Sequence, residues 1–164
     1  MDPPLPHDAD WMGLALEQAH SARRLGEVPV GAIVVRSGGV IGAGHNLTQT
    51  ENDPSAHAEM VAIRRAAATL GHWRLLDCTL YVTLEPCTMC AGAIVLSRIP
   101  RVVYAAPDPK AGMCGSLGNL IQDPRLNHRA RLTGDVRAEE SAELLRAFFR
   151  DRRRTARGGA NDGS

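Results

Sequence analysis

The sequence predicts an α/β fold: a three-layer α/β/α domain built around a mixed five-stranded sheet. Three observations lead there. Helical periodicities alternate with short β-rich runs in the order α-β-β-α-β-α-β-β-α. The first two β-runs flank Ser37-Gly38-Gly39, a hairpin signal, and so pair antiparallel. The later runs are separated by helices, which favours parallel neighbours. A chain of 164 residues with 44% hydrophobic side chains has the size of one compact domain and enough apolar material for a core.

From Asp8 to Leu25, the residues Trp11, Leu14, Ala15, Ala19, Ala22 and Leu25 recur at helical spacing. Asp8 or Asp10 is placed to cap the start, and Gly26 to close the end. Val28–Arg36 and Val40–Gly44 are the hairpin strands. Asn46 to Ser55 is polar and turn-rich, hence a loop. Ala56–Leu70 reads as a helix ended by Gly71, and Thr79–Leu84 as a short buried strand. Cys87–Ser97 is a buried helix, small and apolar on most sides. Val102–Ala105 is another strand. Ala106 to Arg129 is irregular and rich in Pro, Gly and Asn; a loop of that length in a small domain is often functional. Arg131–Val136 is the last strand. Ala138–Arg153 is a helix with a stripe at Ala142, Leu145, Phe148 and Phe149. Thr155–Ser164 is Gly-rich and polar, an expected disordered tail, leaving residues 1–154 as the domain.

The formal net charge of +1 says little, but its distribution is uneven. Residues 1–60 hold eight acidic and three basic side chains, whereas from Arg125 onward ten arginines face six acids. A basic C-terminal section suits a polyanionic partner, or equally a solvated helix surface. The first ten residues are acidic and Pro-rich, with no apolar signal region, and no run approaches a membrane span. A cytosolic protein is therefore expected, with its four cysteines reduced.

Two segments carry chemistry: His57-Ala58-Glu59 and Pro86-Cys87-Thr88-Met89-Cys90, each opening a predicted helix. Cys87 and Cys90, three apart, share one helix face and can grip one ion. One imidazole and two thiolates make three ligands. A catalytic zinc has three and keeps a position for water, whereas a structural zinc is closed by four. With two thiolates the dication becomes a neutral centre, a better acid towards its water than an anionic one. Glu59 need not bind metal; a free carboxylate there can shuttle protons. A structural zinc would need a fourth ligand from Cys78, Cys114, His45 or His72, and a redox Cys pair would need neither His57 nor Glu59. H-x-E followed by P-C-x-x-C is the signature of zinc-dependent base deaminases.

Wider stretches extend the match: EVPVGAIVV, HNLTQTENDPSAHAEM, LYVTLEPCTMCAGAIVLSRIPRVVYAAPD, GSLGNL, LNHR and FFRDRRR. Through them the chain, from about Trp11 to Arg154, resembles the bacterial tRNA-specific adenosine deaminases of the TadA type, in the cytidine deaminase-like superfamily. Pro109 and Cys114 depart from that pattern. The resemblance implies one Zn²⁺ per subunit on His57, Cys87 and Cys90, with Glu59 as proton shuttle. It implies attack of activated water at C6 of the wobble adenosine, position 34, of a tRNA anticodon, loss of ammonia and formation of inosine. Asn46, Val30 and the backbone of Ala58 would contact the flipped base, and Asp108 the preceding ribose. Asn127, Arg129, Phe148, Phe149, Arg152 and Arg153 would lie near the anticodon loop, and the enzyme would be a homodimer. Taken alone, Asn46 and Asp108 also read as turn residues, Val30 as core, and the two phenylalanines as one core and one exposed ring. A free-base or nucleoside deaminase would share the metal site without a basic surface; a non-catalytic zinc-stabilised RNA-binding module would not need Glu59.

Overall fold

A computed structural model gives the fold of residues 1–161. The turn at Ser37-Gly38 places both residues at positive φ, 51° and 75°, the backbone a tight hairpin needs. It folds β2 (Gly39–His45) antiparallel onto β1 (Gly31–Arg36), with a bulge between Val34 and Val35. β3 (Cys78–Leu84) pairs antiparallel with β1 on its other side. β4 (Arg101–Ala106) and the short β5 (Arg131–Thr133) add in parallel, giving the order β2-β1-β3-β4-β5. This is the expected mixed five-stranded sheet. β5 stops three residues earlier than expected, because Gly134 and Asp135, the latter at φ 61°, turn the chain away.

Alternation along the strands divides the core. Ile33, Val35, Tyr81, Val103 and Ala105 meet Met12, Ala15 and Leu16 of α1 (Asp8–Arg24). Ala32, Val34, Leu80, Val82 and Val102 point the other way, onto α2 (Ala58–Leu70) and α3 (Thr88–Ser97). α4 (Ala138–Asn161) lies against β4 and β3. The helices come very close to the hairpin. A Cβ on Gly42 would sit 2.4 Å from the Ala62 carbonyl oxygen of α2, and one on Gly31 would sit 2.1 Å from that of Ala15 in α1. Glycine there lets backbone pack on backbone and fixes α2, with the residues at its start, against the sheet.

Three further expectations change. Asp8 does not cap α1, whose N-cap is His7 without a side-chain bond. The Asp8 carboxylate is buried and accepts bonds from Arg101 at 2.6 and 2.8 Å, the Tyr81 hydroxyl at 2.8 Å and the Leu5 N–H at 2.7 Å. A bidentate guanidinium from β4 is a stronger partner than a helix N–H. α2 and α3 each begin later than expected, at Ala58 and Thr88, leaving His57 and Cys87 at the N-caps. α4 continues past Arg153 to Asn161, through part of the expected tail, since Arg and Ala favour helix and no breaker precedes Gly158. Residues 162–164 of that tail lie outside the described residues. No helix among the described residues is long and apolar enough to cross a membrane.

Candidate metal centre and substrate pocket

His57 and Cys87 hold the same place in the fold: extended backbone, ψ 154° and 179°, at the mouth of a helix. Neither side chain caps its own helix, so both turn toward each other. His57 Nδ1 lies 3.5 Å from Cys87 Sγ and 3.6 Å from Cys90 Sγ. All three ligand atoms lie within 4.8 Å of one another. Zn–N bonds of about 2.0–2.1 Å and Zn–S bonds of about 2.3 Å at a tetrahedral angle put N and S about 3.6 Å apart, so the donor set fits zinc. The partial positive charge of two helix N-termini favours thiolates there. The Cys87 thiol is pushed down to about 3 by hydrogen bonds from Cys90 and His57, against burial. Cys90, as the donor of that bond and itself buried, is pushed up, and the bond to Cys87 raises His57. These three groups thus share protons that a dication would displace.

Glu59, in the first turn of α2, is only 4% exposed and is not one of the three metal-ligand candidates. Burial raises its carboxyl pKa, outweighing the bonds it accepts from its own N–H and the Cys90 thiol. It opens on a pocket of about 270 Å³ that His57, Ala58 and Cys87 also line. Val30, Asn46 and Asp108 line the same pocket, so residues from five separate stretches converge. Val30 is both core and pocket wall. Asn46 donates its backbone N–H to the Val30 carbonyl at 3.1 Å, but its buried side-chain Oδ1 has no hydrogen-bond partner. Its carboxamide therefore stabilises no turn. The Asp108 carboxylate does serve a turn, accepting the N–H groups of Lys110 and Ala111 at 3.1 and 3.3 Å.

The other candidates lie apart from this pocket. Asn127 is exposed, and Arg129, also exposed, donates to the Pro124 carbonyl. Phe148 is buried and Phe149 is 43% exposed, in an edge-on pair. The Arg152 guanidinium sits 5.5 Å from the Phe148 ring centroid. Phe149 and Arg153 line a shallow depression shared with Lys110, Arg146 and Arg150. Cys114 is buried and outside the metal-ligating group.

Sequence reasoning missed several residues. Lys110 joins the depression and belongs to the loop that walls the pocket. Val28, Thr48, Leu84, Glu85 and Ala111 complete the lining. Two buried carboxylates hold its loops. Glu27 accepts the N–H groups of Gln49 and Thr50 at 3.1 Å, and Glu85 accepts bonds from the 108–116 loop. Burial raises the Glu85 pKa, but those bonds, led by Ser116, bring it below the ordinary value. The one signal available was position: each stands directly before a pocket-lining segment, Val28-Pro29-Val30 or Pro86-Cys87.

The family model of the MafB19-like deaminases matches residues 7–153. The tRNA-specific adenosine deaminase of Bacillus subtilis (strain 168) is 49% identical over 150 residues, 92% of this chain and 93% of that one. This chain belongs to the tRNA-specific adenosine deaminase family. A second family member, from Haemophilus influenzae, is also 49% identical, over 89% of this chain and 85% of its own. A solved structure from work on A-to-I editing by tRNA:A34 deaminases at the wobble position superimposes with a TM-score of 0.80 at 46% identity, covering 83% of this chain and 99% of that one. A guanine deaminase from Nitrosomonas europaea shares the fold at greater distance, with a TM-score of 0.76 and 26% identity over 90% of this chain and 86% of that one. The tRNA-specific adenosine deaminases are thus nearer to it in sequence than this free-base enzyme.

Proposed function

We propose that this chain converts the wobble adenosine, position 34, of a tRNA anticodon to inosine, with release of ammonia. The observation that carries the reading is the pocket itself: a His/Cys/Cys group beside buried, unliganded Glu59, with the unpartnered Asn46 carboxamide facing the same space. It stands in a chain 49% identical to tRNA-specific adenosine deaminases over most of its length. One zinc per subunit on His57, Cys87 and Cys90 supplies, when bound, a Lewis-acidic position that lowers the pKa of water to about 7. Glu59 takes one proton from the attacking water and delivers it to N1 of the ring, where inosine keeps it; it then takes the proton of the hydroxyl formed at C6 and delivers it to the amine, which leaves as ammonia. Asn46 hydrogen-bonds the edge of the flipped base, the Ala58 N–H faces it, and Val30 packs on its face. Asp108 stands by the preceding ribose. Asn127, Arg129, Phe148, Phe149, Arg152 and Arg153 meet the anticodon loop, with Phe149 exposed for stacking and the arginines for phosphates.

The subunit pairs with a second copy. α3 is apolar all round, yet Met89, Gly92 and Ala93 are only half-buried and Leu96 is 70% exposed. Exposed Trp73 and Leu76 adjoin its end, where the Leu75 N–H bonds the Ser97 carbonyl. Exposed apolar side chains of this kind are what a homodimer interface covers. A tRNA substrate places the enzyme in the cytoplasm.

The test is turnover of an anticodon stem-loop carrying adenosine at the wobble position, beside free adenosine, cytidine and guanine. Inosine in the RNA alone is expected; deamination of free bases alone overturns the reading. Glu59→Gln should lower kcat by about 10²- to 10⁴-fold with bound zinc unchanged. Full activity of that variant would remove Glu59 from the mechanism.

A further inference from the structure

Glu85 is 2% exposed and lies at the end of β3, directly before Pro86-Cys87. Glu85 is itself among the residues lining the pocket but is outside the metal-ligating group, and its carboxylate is bonded to the loop that follows β4. Oε1 accepts the Asp108 N–H at 3.0 Å and the Ser116 hydroxyl. Oε2 accepts the N–H groups of Cys114 at 3.1 Å and Ser116 at 3.0 Å. The loop is thus wrapped around one side chain, 23 to 31 residues away in sequence. It passes so close that a Cβ on Gly112 would lie 2.2 Å from the carboxylate carbon. Two backbone bonds close the wrap: Gly112 N–H to the Asp108 carbonyl and Met113 N–H to the Pro86 carbonyl, both 2.8 Å. Asp108 and Ala111 of this loop form one wall of the pocket, and Lys110 lines the neighbouring depression.

We infer that Glu85 is a positioning residue for RNA: its carboxylate holds the 108–116 loop, and with it Asp108 and Lys110, in the conformation that receives the nucleotide before the target. It acts through Asp108 and Lys110 and does not touch the reacting atoms. The inference rests on the tRNA reading above. Three backbone donors converge on a carboxylate that no neutral side chain of similar shape replaces. Glutamine offers one oxygen and one NH2, so one of the two groups of donors then faces another donor. Buried N–H groups left without an acceptor make the ordered loop a minor conformer, and apparent affinity falls by the fraction lost.

The experiment uses the zinc-loaded protein and the same anticodon stem-loop, with Glu85→Gln and Gly112→Ala. The second variant displaces the carboxylate sterically and leaves its chemistry intact. Both are expected to raise KM for the RNA by about tenfold or more, with kcat changed by less than about threefold and zinc content equal to wild type. In both, amide exchange at Asp108, Cys114 and Ser116 should accelerate while β1 and β3 keep their protection. An unchanged KM with unchanged exchange overturns the inference. So does a Glu85→Gln chain that loses zinc or fails to fold while Gly112→Ala behaves as wild type, which would make Glu85 part of the metal scaffold. If the wild type turns over only free purines, the functional reading fails and RNA positioning falls with it. The exchange measurement then still reports whether the carboxylate holds the loop.

Discussion

Asn46 brings stability and function into opposition, which makes Asn46→Ala a sharp test. Its backbone N–H is bonded to the Val30 carbonyl, a contact that alanine keeps. Its side-chain Oδ1 is buried and unpartnered. A buried acceptor without a donor costs about 1–3 kcal/mol, and removing it recovers that amount. The side chain lines an open pocket, so its loss widens existing space and creates no sealed cavity in the core. Subtracting some lost packing leaves a net gain of about 1 kcal/mol, a rise in Tm of about 2–4 °C for a chain of this length. The same change removes the group proposed to read the base, so kcat/KM for the stem-loop should fall by about 10- to 100-fold. The assay is scanning calorimetry at matched zinc content, paired with steady-state kinetics on the RNA. A Tm that falls with activity would refute the reasoning, since it would mean the amide is satisfied and structural. A raised Tm with full activity would remove Asn46 from base recognition.

Other perturbations probe the scaffold, the RNA surface and the metal. Asp8→Ala strands the Arg101 guanidinium and the Tyr81 hydroxyl and should destabilise by about 3–5 kcal/mol in urea denaturation. Burial pushes the Asp8 carboxyl up, but the bonds from Arg101, the Leu5 N–H and Tyr81 outweigh it and hold it below 3.8. Its contribution to stability is therefore complete above that pH and is lost as pH falls through the lowered value, a slope that Asp8→Asn should flatten. Arg152→Ala with Arg153→Ala should weaken stem-loop binding and make the slope of log K against log salt shallower by about 1 to 2; an unchanged slope would mean that these arginines only solvate α4. Chelation should abolish turnover and zinc restore it, whereas Cys87→Ser, lacking one thiolate, should regain little after metal is returned.

The residues that name the chemistry were legible without a structure, because metal affinity resides in residue type and short spacing. His57, Cys87 and Cys90 come together within 4.8 Å, and Glu59 lies beside them. The sheet was legible for a similar reason: the hairpin glycines and the alternating strands encode their conformation locally. Local signals were weaker at the ends. Nothing in Asp8 itself says whether it caps a helix or meets an arginine 93 positions away. Arg152, Arg153 and their neighbours gave no stop signal before Gly158, so α4 ran past its expected end.

By itself, then, the sequence determined the candidate donor set, the carboxylate beside it and the strand and helix order, each through patterns a few residues long. Only the tertiary structure decided the shape of the pocket. Glu27 and Glu85 carry no local mark of their role, yet both are buried and each gathers backbone N–H groups from a distant loop. The physical reason is that a carboxylate's burial depends on whether donors arrive to replace water, and those donors are backbone groups, which every residue carries and no sequence pattern marks.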